Sequence, residues 1–165
     1  MRSLAILLLL ILAGCSSTPP PISILPFSVQ SEIIVGSKVN PYGEFSYHPL
    51  ALRFYQLREP GAFTNSEFID IYIDDRKALG ASLVDVLYID PMLSGQHSLT
   101  LEIQRSTRYL GVFAEFAEYR EANGRALVKL EEEPDLKIVL VNVNGLSIDM
   151  SLQEKPAEKS WWQLF

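Results

Sequence analysis

The sequence contains a single cysteine, Cys15, among 165 residues. One thiol cannot form a disulfide within the chain, so a disulfide-stapled fold is excluded. Histidine is also scarce: only His48 and His97 occur, and neither stands in a spacing typical of a zinc site. We therefore predict no metal and no cofactor, and we interpret both histidines as solvated loop residues.

Positively charged residues are also fewer than negatively charged ones. The chain has 14 lysines and arginines against 20 aspartates and glutamates, a formal net charge of −6. Nucleic-acid-binding domains need a basic surface to contact phosphates, so a nucleic-acid partner is excluded. The same deficit argues against attachment to anionic lipid by charge alone.

Signatures of catalysis are also absent. The sequence has no G-x-S-x-G nucleophile motif and no phosphate-binding glycine loop. Two carboxylate clusters, Asp74-Asp75 and Glu131-Glu132-Glu133, are interpreted as a solvated helix end and an acidic loop. We therefore predict that the protein is not an enzyme.

No apolar run reaches the roughly 20 residues that a membrane-spanning helix needs. The apolar segment Leu4–Ala13 is short, follows the positive charge of Arg2, and is typical of a signal peptide. Leu12-Ala13-Gly14-Cys15 resembles the lipobox of bacterial lipoproteins, a resemblance that implies cleavage before Cys15 and its acylation. The alternative is an ordinary signal peptide with a chance cysteine.

These features predict four segments along the chain. They are a signal peptide (1–14), a lipidated N-terminus with a Ser/Pro-rich spacer (15–26), one domain (27–152) and a C-terminal tail (153–165). Ser16 resembles the residue that sorts lipoproteins to the outer membrane. The apolar end of the tail, Trp161–Phe165, either folds back onto the domain, stays disordered or acts as a binding peptide.

Alternating apolar residues dominate the domain and predict half-buried strands. The clearest sets that share one strand face are Phe27/Val29/Ile33/Val35, Leu50/Leu52/Phe54, Leu99/Leu101/Ile103 and Leu110/Val112/Ala114/Phe116. Arg53 and Tyr55 fall on the opposite, outward face of their strand. The nearly continuous apolar run Leu136–Val143 predicts a central strand.

Turns and one helix complete the pattern. Asn144-Gly145 predicts a hairpin with a type I′ turn, and Asn123-Gly124 is a second turn candidate. A capping box over Thr64–Glu67 and a stop at Gly80 favour a helix between them, although alternating isoleucines leave a strand as the alternative. Several strands with one helix predict a mainly β protein with a β-sandwich.

Several segments, taken in order, resemble the TssJ family (also called SciN or VasD), the outer-membrane lipoprotein of type VI secretion systems. The matching residues are Asn40-Pro41, Pro49-Leu50-Ala51-Leu52-Arg53-Phe54-Tyr55-Gln56-Leu57, Leu79-Gly80 and Thr107-Arg108-Tyr109-Leu110-Gly111-Val112-Phe113-Ala114. The resemblance implies a transthyretin-like antiparallel β-sandwich with a short helical insertion.

The resemblance also implies a function. The protein would be anchored in the outer membrane through acyl chains on Cys15, face the periplasm, and bind the periplasmic C-terminal part of a TssM-like inner-membrane subunit. The predicted partner-binding residues lie in the loop 38–48: Asn40, Pro41, Tyr42, Gly43, Glu44, Phe45 and Tyr47. Two alternatives stay open: a solvated loop whose aromatic side chains pack back onto the sandwich, and a periplasmic lipoprotein that binds a small ligand or inhibits a cell-wall enzyme.

The lipobox predicts that Cys15→Ser abolishes acylation, because the only thiol in the chain is the acceptor. Metabolic labelling with a radioactive fatty acid should mark the wild-type chain and leave the serine variant unlabelled. Ser17→Ala is the control and should label normally. Wild-type incorporation into Cys15→Ser would refute the lipoprotein interpretation.

Overall fold

A computed structural model describes residues 26–44, 46–130 and 137–155. Several predictions lie outside the described residues. These are the signal peptide, the acylation of Cys15, the acidic cluster Glu131–Glu133, the side chain of Phe45 and the apolar end of the tail. Within the described ranges, no helix is long and apolar enough to cross a membrane.

Strands dominate the part of the chain that is described. The elements follow in the order β1 (Phe27–Val35), β2 (Leu50–Leu57), α1 (Gly61–Asn65), α2 (Phe68–Leu79), β3 (Leu83–Met92), β4 (Gly95–Ile103), β5 (Tyr109–Ala114), β6 (Arg125–Lys129), β7 (Lys137–Asn144) and β8 (Ser147–Glu154). β8 ends two residues beyond the predicted domain boundary at 152.

The strands form two four-stranded sheets, with orders β4-β1-β7-β8 and β3-β2-β5-β6. This confirms the predicted β-sandwich, and β7 occupies an interior position as its continuous apolar run predicted. The first sheet is mixed, however, because β1 and β7 run parallel from Gln30↔Ile138 to Val35↔Val143. A parallel pair needs a long connection, and here the chain passes through the whole second sheet between the two strands.

The apolar faces predicted from alternation meet between the two sheets and form the main core. Val29, Ile33 and Val35 of β1 are buried there, opposite Leu52 and Phe54 of β2. Burial of such side chains contributes about 1.5–3 kcal/mol each, so this layer supplies most of the driving force for folding.

The helix prediction is confirmed and its strand alternative is wrong, since α2 covers Phe68–Leu79 and ends at Gly80, with φ of 50°. The capping box is wrong. Thr64 lies inside the separate short helix α1, and its hydroxyl donates to the carbonyls of Pro60 and Gly61 instead. Glu67 occupies the N-cap position of α2 without a side-chain capping bond.

The hairpin prediction is also confirmed, but its turn type is not. Asn144 pairs with Ser147, so the two loop residues are Gly145 and Leu146. Gly145 has φ of 59°, while Leu146 is not in the positive-φ region. A type I′ turn needs positive φ at both loop residues, whereas glycine in the first loop position alone is the pattern of type II′.

Asn123-Gly124 does not form the second tight turn. Ten residues connect β5 to β6, and Gly124 is buried at the end of that connection, where its carbonyl accepts from the amide of Ala114 at 2.8 Å. A Cβ there would lie 3.2 Å from the carbonyl oxygen of Ala114. The glycine is thus explained by close packing and not by turn geometry.

Arg53 and Tyr55 lie on the face of β2 that points away from the main core, as predicted, but that face is not exposed to solvent. Helices α1 and α2 cover the outer face of the second sheet, and the two side chains are 9% and 0% exposed. A second apolar cluster fills this layer. It consists of Tyr55, Leu57, Phe63, Ile71, Leu79 and Phe113.

Strand β3 is the element that alternation did not reveal. It forms an edge of the second sheet, pairing from Leu50↔Met92 to Leu57↔Leu83, with irregular register near both ends. Its pattern is broken by Asp85, Asp90 and Pro91, residues that are tolerated because an edge strand leaves one side unpaired.

Gly111 of β5 permits the close approach of α1 that the second layer needs. A Cβ at this position would lie 2.9 Å from two ring carbons of Phe63, a distance that real Cβ atoms do not show. Phe63 is 1% exposed and packs on Tyr55, with ring centroids 5.6 Å apart, so its ring has little room to retreat.

We therefore expect Gly111→Ala to lower the free energy of unfolding by about 1–3 kcal/mol, through overpacking against Phe63. Denaturant titration of the purified protein measures this. Gly61→Ala is the matched control, because a Cβ at Gly61 meets nothing within 4 Å. Equal stability of the two variants would mean that the α1 layer adapts without strain.

Candidate functional site

The strand directions give the sandwich two distinct ends. In the first sheet, Val35 at the end of β1 pairs with Gly95 at the start of β4 and with Val143 near the end of β7. In the second sheet, Leu50 at the start of β2 pairs with Met92 at the end of β3. The connections β1–β2, β3–β4, β5–β6 and β7–β8 therefore gather at one end, which we call the loop end.

Asn40 fixes the β1–β2 connection within the loop end. Its side chain accepts from the amide of Ala117 at 2.9 Å and donates to the carbonyl of Pro49 at 3.2 Å, and its backbone amide donates to Gly145. It is 5% exposed and has φ of 48°, a conformation that asparagine tolerates better than most residues. Asn40 thus joins three of the four loops.

Beyond Asn40 the loop doubles back on itself. Pro41 and Tyr47 form an isolated antiparallel bridge. The amide of Tyr42 donates to the carbonyl of Ser46, and the Ser46 hydroxyl donates to the carbonyl of Tyr42 at 2.5 Å. Gly43, with φ of 70°, makes the reversal between them possible. The tip of the loop is therefore held by its own backbone.

The loop end presents large side chains to solvent. Tyr42 is 56% exposed, Tyr47 51% and, on the neighbouring β3–β4 turn, Leu93 66%. Glu44 is also exposed. His48 packs edge-on against Tyr42, with ring centroids 6.3 Å apart, and its Nε2 lies 3.2 Å from the Ser46 hydroxyl. Exposed aromatic groups on a fixed loop are suited to contact with another protein.

The predicted site residues thus fall into two groups. Tyr42, Gly43, Glu44 and Tyr47 are exposed together at the loop end, and Pro41 is half-buried between them. Asn40 is buried, with both polar ends of its amide used inside the protein. The sequence singled out this loop correctly as a surface element, but it gave no signal for the inward direction of Asn40.

A groove that the sequence did not indicate adjoins the loop end. Phe68 lies at its floor, stacked on Phe113 at 4.6 Å and on Tyr119 at 4.7 Å between ring centroids. The groove holds about 270 Å³ and runs between α2 and the β5–β6 connection. Its lining residues are Phe68, Ile69, Tyr72, Glu115, Phe116, Ala117 and Tyr119.

Beneath α2 lies a buried ionic cluster centred on Arg53. The Arg53 Nε donates to Glu115 at 2.6 Å, and its Nη1 is 3.5 Å from the Asp75 carboxylate. Tyr55 and Tyr88 donate their hydroxyls to the same oxygen of Asp75, at 2.9 and 2.6 Å. The expectation that Asp74-Asp75 is a solvated pair is therefore wrong for Asp75, which is 5% exposed.

The cluster also lies next to an interruption in α2. Asp74 has φ of −149° and ψ of 80°, which breaks the helix into two segments. Arg53 donates to the carbonyls of Ile71 and Tyr72, each at 3.3 Å, on the N-terminal side of the break. The Asp74 carboxylate accepts from the amide of Lys77 at 3.1 Å, as an N-cap does for a new helical segment.

Charge is distributed within the cluster so that Asp75 stays ionised. Burial alone would raise the pKa of Asp75, but the hydroxyls of Tyr88 and Tyr55 and the charge of Arg53 outweigh burial, so its pKa lies below the usual range. Burial raises the pKa of Tyr55 well above its ordinary value. The hydrogen bond to Asp75, with burial, also raises the pKa of Tyr88. At neutral pH, Asp75 is therefore ionised and accepts hydrogen bonds, while Tyr55 and Tyr88 keep their protons and donate them.

This arrangement is suited to holding α2 on the second sheet. The polar atoms of Arg53 and Asp75 are directed at each other and at the helix, beneath the α2 layer. Among residues 26–44, 46–130 and 137–155, no group of three potential ligands could hold a metal ion. Fold and site together define a small two-sheet β-sandwich with exposed aromatic side chains at its loop end.

Comparison with known proteins identifies the family. The chain belongs to the type VI secretion lipoproteins, a family described by the names VasD, EvfM and TssJ, whose model matches residues 28–148. This matched region contains β2 to β7 completely, all of β1 except Phe27, and the first two residues of β8. Among curated proteins, none matches the chain significantly.

Solved structures share the fold at low sequence identity. TssJ1 from Pseudomonas aeruginosa superposes with a TM-score of 0.72 at 19% identity, covering 79% of this chain and 99% of that one. Lip from Serratia marcescens, a membrane-bound component of the type VI secretion system, gives 0.66 at 20%, covering 75% and 96%. A chain in the structure of the TssM C-terminal domain from EAEC gives 0.60 at 17%, covering 79% and 98%.

The depressed pKa of Asp75 predicts a pH-dependent contribution to stability. Asp75→Asn should cost about 2–3 kcal/mol at pH 7, because it removes the charge that Arg53 faces in a buried site. The contribution is complete above the ordinary aspartate pKa near 4 and is lost as the pH falls through the lower folded value. The stability gap between wild type and variant should therefore narrow below about pH 4.

Urea unfolding of both proteins between pH 3 and 7 checks this expectation. Asp70→Asn is the control, since Asp70 is exposed on the same helix. A gap between wild type and Asp75→Asn that stays constant down to pH 3 would show that Asp75 is not preferentially ionised in the folded state.

Proposed function

We propose that the protein is the structural outer-membrane lipoprotein of a type VI secretion membrane complex. Acyl chains on Cys15 hold it at the outer membrane, and the domain faces the periplasm. Its loop end binds the periplasmic C-terminal part of a TssM-like inner-membrane subunit and so ties the complex to the outer membrane. Its contribution is attachment and not catalysis.

The main support for this proposal is that the chain enters the domain at the end opposite to the loop end. The spacer that follows Cys15 leads to Phe27, and β1 then runs nine residues to Val35 at the loop end. At about 3.3 Å per residue this strand is some 30 Å long. A domain tethered at the Phe27 side exposes its loop end away from the lipid, towards a partner that arrives from the inner membrane.

The rigidity of the loop supports its use as a binding surface. Asn40 acts in this proposal as a positioning residue, because its buried amide holds the loop to Ala117 and Pro49. Tyr42 and Tyr47 are the contact residues. Tyrosines that are already ordered before binding lose little conformational entropy in the complex, which favours their role as hot spots.

Family membership supports the proposal independently of geometry. The chain belongs to the type VI secretion lipoproteins, and a chain in the solved structure of the TssM C-terminal domain from EAEC shares its fold. A partner that binds Tyr42 and Tyr47 needs shallow apolar pockets for their rings and polar groups at the pocket rims for their hydroxyls.

We expect the double variant Tyr42→Ala/Tyr47→Ala to weaken binding to the purified periplasmic part of a TssM-like subunit by about 30-fold or more, since hot-spot truncations cost roughly 2 kcal/mol or more. Its unfolding midpoint should stay close to the wild-type value, because both side chains are about half exposed. Titration calorimetry measures the affinity, and circular dichroism checks the fold.

Ile73→Ala provides the matched control. Ile73 is 75% exposed on α2, so its truncation removes a similar apolar surface away from the loop tip. Wild-type affinity in the folded double variant, or an equal loss in Ile73→Ala, would move the binding surface away from the β1–β2 loop.

A further inference from the structure

Strand β4 forms one edge of the first sheet, and no described strand pairs with its outer side. It pairs with β1 along its whole length, from Phe27↔Ile103 to Val35↔Gly95, in a regular register. Residues 95–101 include no proline, lysine, arginine, aspartate or glutamate. An edge strand leaves a row of backbone N–H and C=O groups unpaired, so a long, regular and uncharged edge is a template for pairing with another strand.

The other edges of the sandwich are protected. Strand β3 carries Asp85, Asp90 and Pro91, and its register with β2 is irregular near both ends. Strands β6 and β8 lie close to each other, and Asn123, just before β6, forms a bridge with Ser147 of β8. Charge, proline and cover by a neighbouring strand all hinder the addition of a further strand. Among the described strands, β4 is therefore the edge that is open to a partner.

Gln56 marks the end of the open part of β4. Its side-chain amide donates to the carbonyl of Glu102 at 2.8 Å, and its Oε1 accepts from the amide of Gln104 at 2.8 Å. These contacts reach across from the second sheet and satisfy backbone groups at the last residues of β4. Residues 95–101 remain as the stretch with which an added strand would pair.

A cavity lies between the two sheets next to β4. It holds about 190 Å³ and runs between β3 and β4. Its apolar lining includes Phe54, Leu101, Ile103 and Leu110, which belong to the main core. Successive side chains of a strand point to opposite faces, so every second side chain of a strand added to β4 would point into this space. The cavity favours apolar side chains at those positions.

The outer face of the first sheet has a different character. Glu32 and Glu102 alternate with the buried residues Ile33 and Leu101, so their carboxylates point outward. A depression of about 200 Å³ beside Glu32 is lined by residues of β1 and β4. The described linings of this depression and of the inner cavity contain no lysine or arginine. The outward side chains of an added strand would thus meet negative charge, which favours lysine or arginine at those positions.

We propose that the outer side of β4 binds an extended segment of a partner protein, in which apolar and basic side chains alternate. The segment adds to the first sheet as a further strand. Its backbone hydrogen bonds to residues 95–101 supply affinity, while the inner cavity and the outer carboxylates select its side chains. The surface lies along the side of the sandwich, so the proposal does not depend on the binding role of the loop end.

A second copy of this chain fits the edge less well. Pairing of two β4 strands would bring the sequence Gly-Gln-His-Ser-Leu-Thr-Leu-Glu-Ile against itself, which adds a carboxylate to the acidic outer face and no lysine or arginine. The net charge of −6 on each chain also opposes self-association. Charge complementarity therefore favours a basic partner.

The probe for this surface is the synthetic peptide Lys-Val-Lys-Val-Lys-Val-Lys with blocked ends, titrated into the purified full chain in detergent. Calorimetry measures its affinity, and hydrogen exchange shows where it binds. We expect every second backbone amide within residues 95–101 to exchange about tenfold more slowly, or slower still, when the peptide is in excess, because these amides gain acceptors. The same peptide with every backbone nitrogen methylated keeps its side chains but loses its donors, and should bind more weakly by about tenfold or more.

Thr100→Lys and Ser151→Lys are a matched pair of variants. Both residues are exposed on the outer face of the first sheet, Thr100 on β4 and Ser151 on the opposite edge strand, β8. Each change adds one positive charge at an exposed position, and circular dichroism checks that the fold is kept. We expect Thr100→Lys to weaken peptide binding by about tenfold or more, and Ser151→Lys to leave it close to the wild-type value.

Several results would overturn the proposal. Unchanged exchange at residues 95–101 with the peptide in excess would show that β4 is not the site. Equal affinity for the methylated peptide would mean that side chains alone bind, and equal weakening by both lysine variants would mean a general attraction to an acidic surface. Slow exchange of all amides in this stretch before peptide is added would show that the chain itself covers the edge. A dimer that Thr100→Lys separates, seen by analytical ultracentrifugation, would make a second copy the occupant.

Discussion

The layer between the second sheet and helices α1 and α2 depends on the hydrogen bonds and ion pairs of the buried Arg53 guanidinium. A charge in this position is tolerated only because Glu115, Asp75 and two helix carbonyls surround it. The same contacts fix the helix at its break and draw α2 over β2, so that Tyr55 and Phe113 become core residues.

The sequence predicted the layer between the sheets well and the layer under the helices poorly. Alternation reports which side chains share a face, and for β1, β2, β4 and β5 the apolar face was the buried one. Alternation cannot show that the other face of the same strand is also buried. Arg53 interrupts the apolar pattern of β2, so it reads as a surface residue, although it is 9% exposed. Its partners Asp75 and Glu115 are distant in sequence, and only the fold brings them together.

In the candidate site, too, the local sequence predicts some features, while others depend on contacts between residues that are distant in sequence. Local composition marked the 38–48 loop as exposed and aromatic, and Tyr42 and Tyr47 are indeed exposed. The role of Asn40 depends on Ala117, which lies in a loop of the other half of the chain. The turn at Gly145 was found for a local reason, but its type depends on which residues pair across the hairpin, and that register is a property of the sheet.

These constraints together define a direction through the molecule. The parallel pairing of β1 with β7 sends both strands towards the loop end, and the return of β8 brings the chain back to the side where it entered. In the proposed function, attachment through Cys15 and contact through the loop end act along one axis, with the sandwich between them. The close packing of the core between the two sheets resists deformation. An envelope-spanning assembly needs a connector of this kind, which is the role that the proposed function gives to this topology.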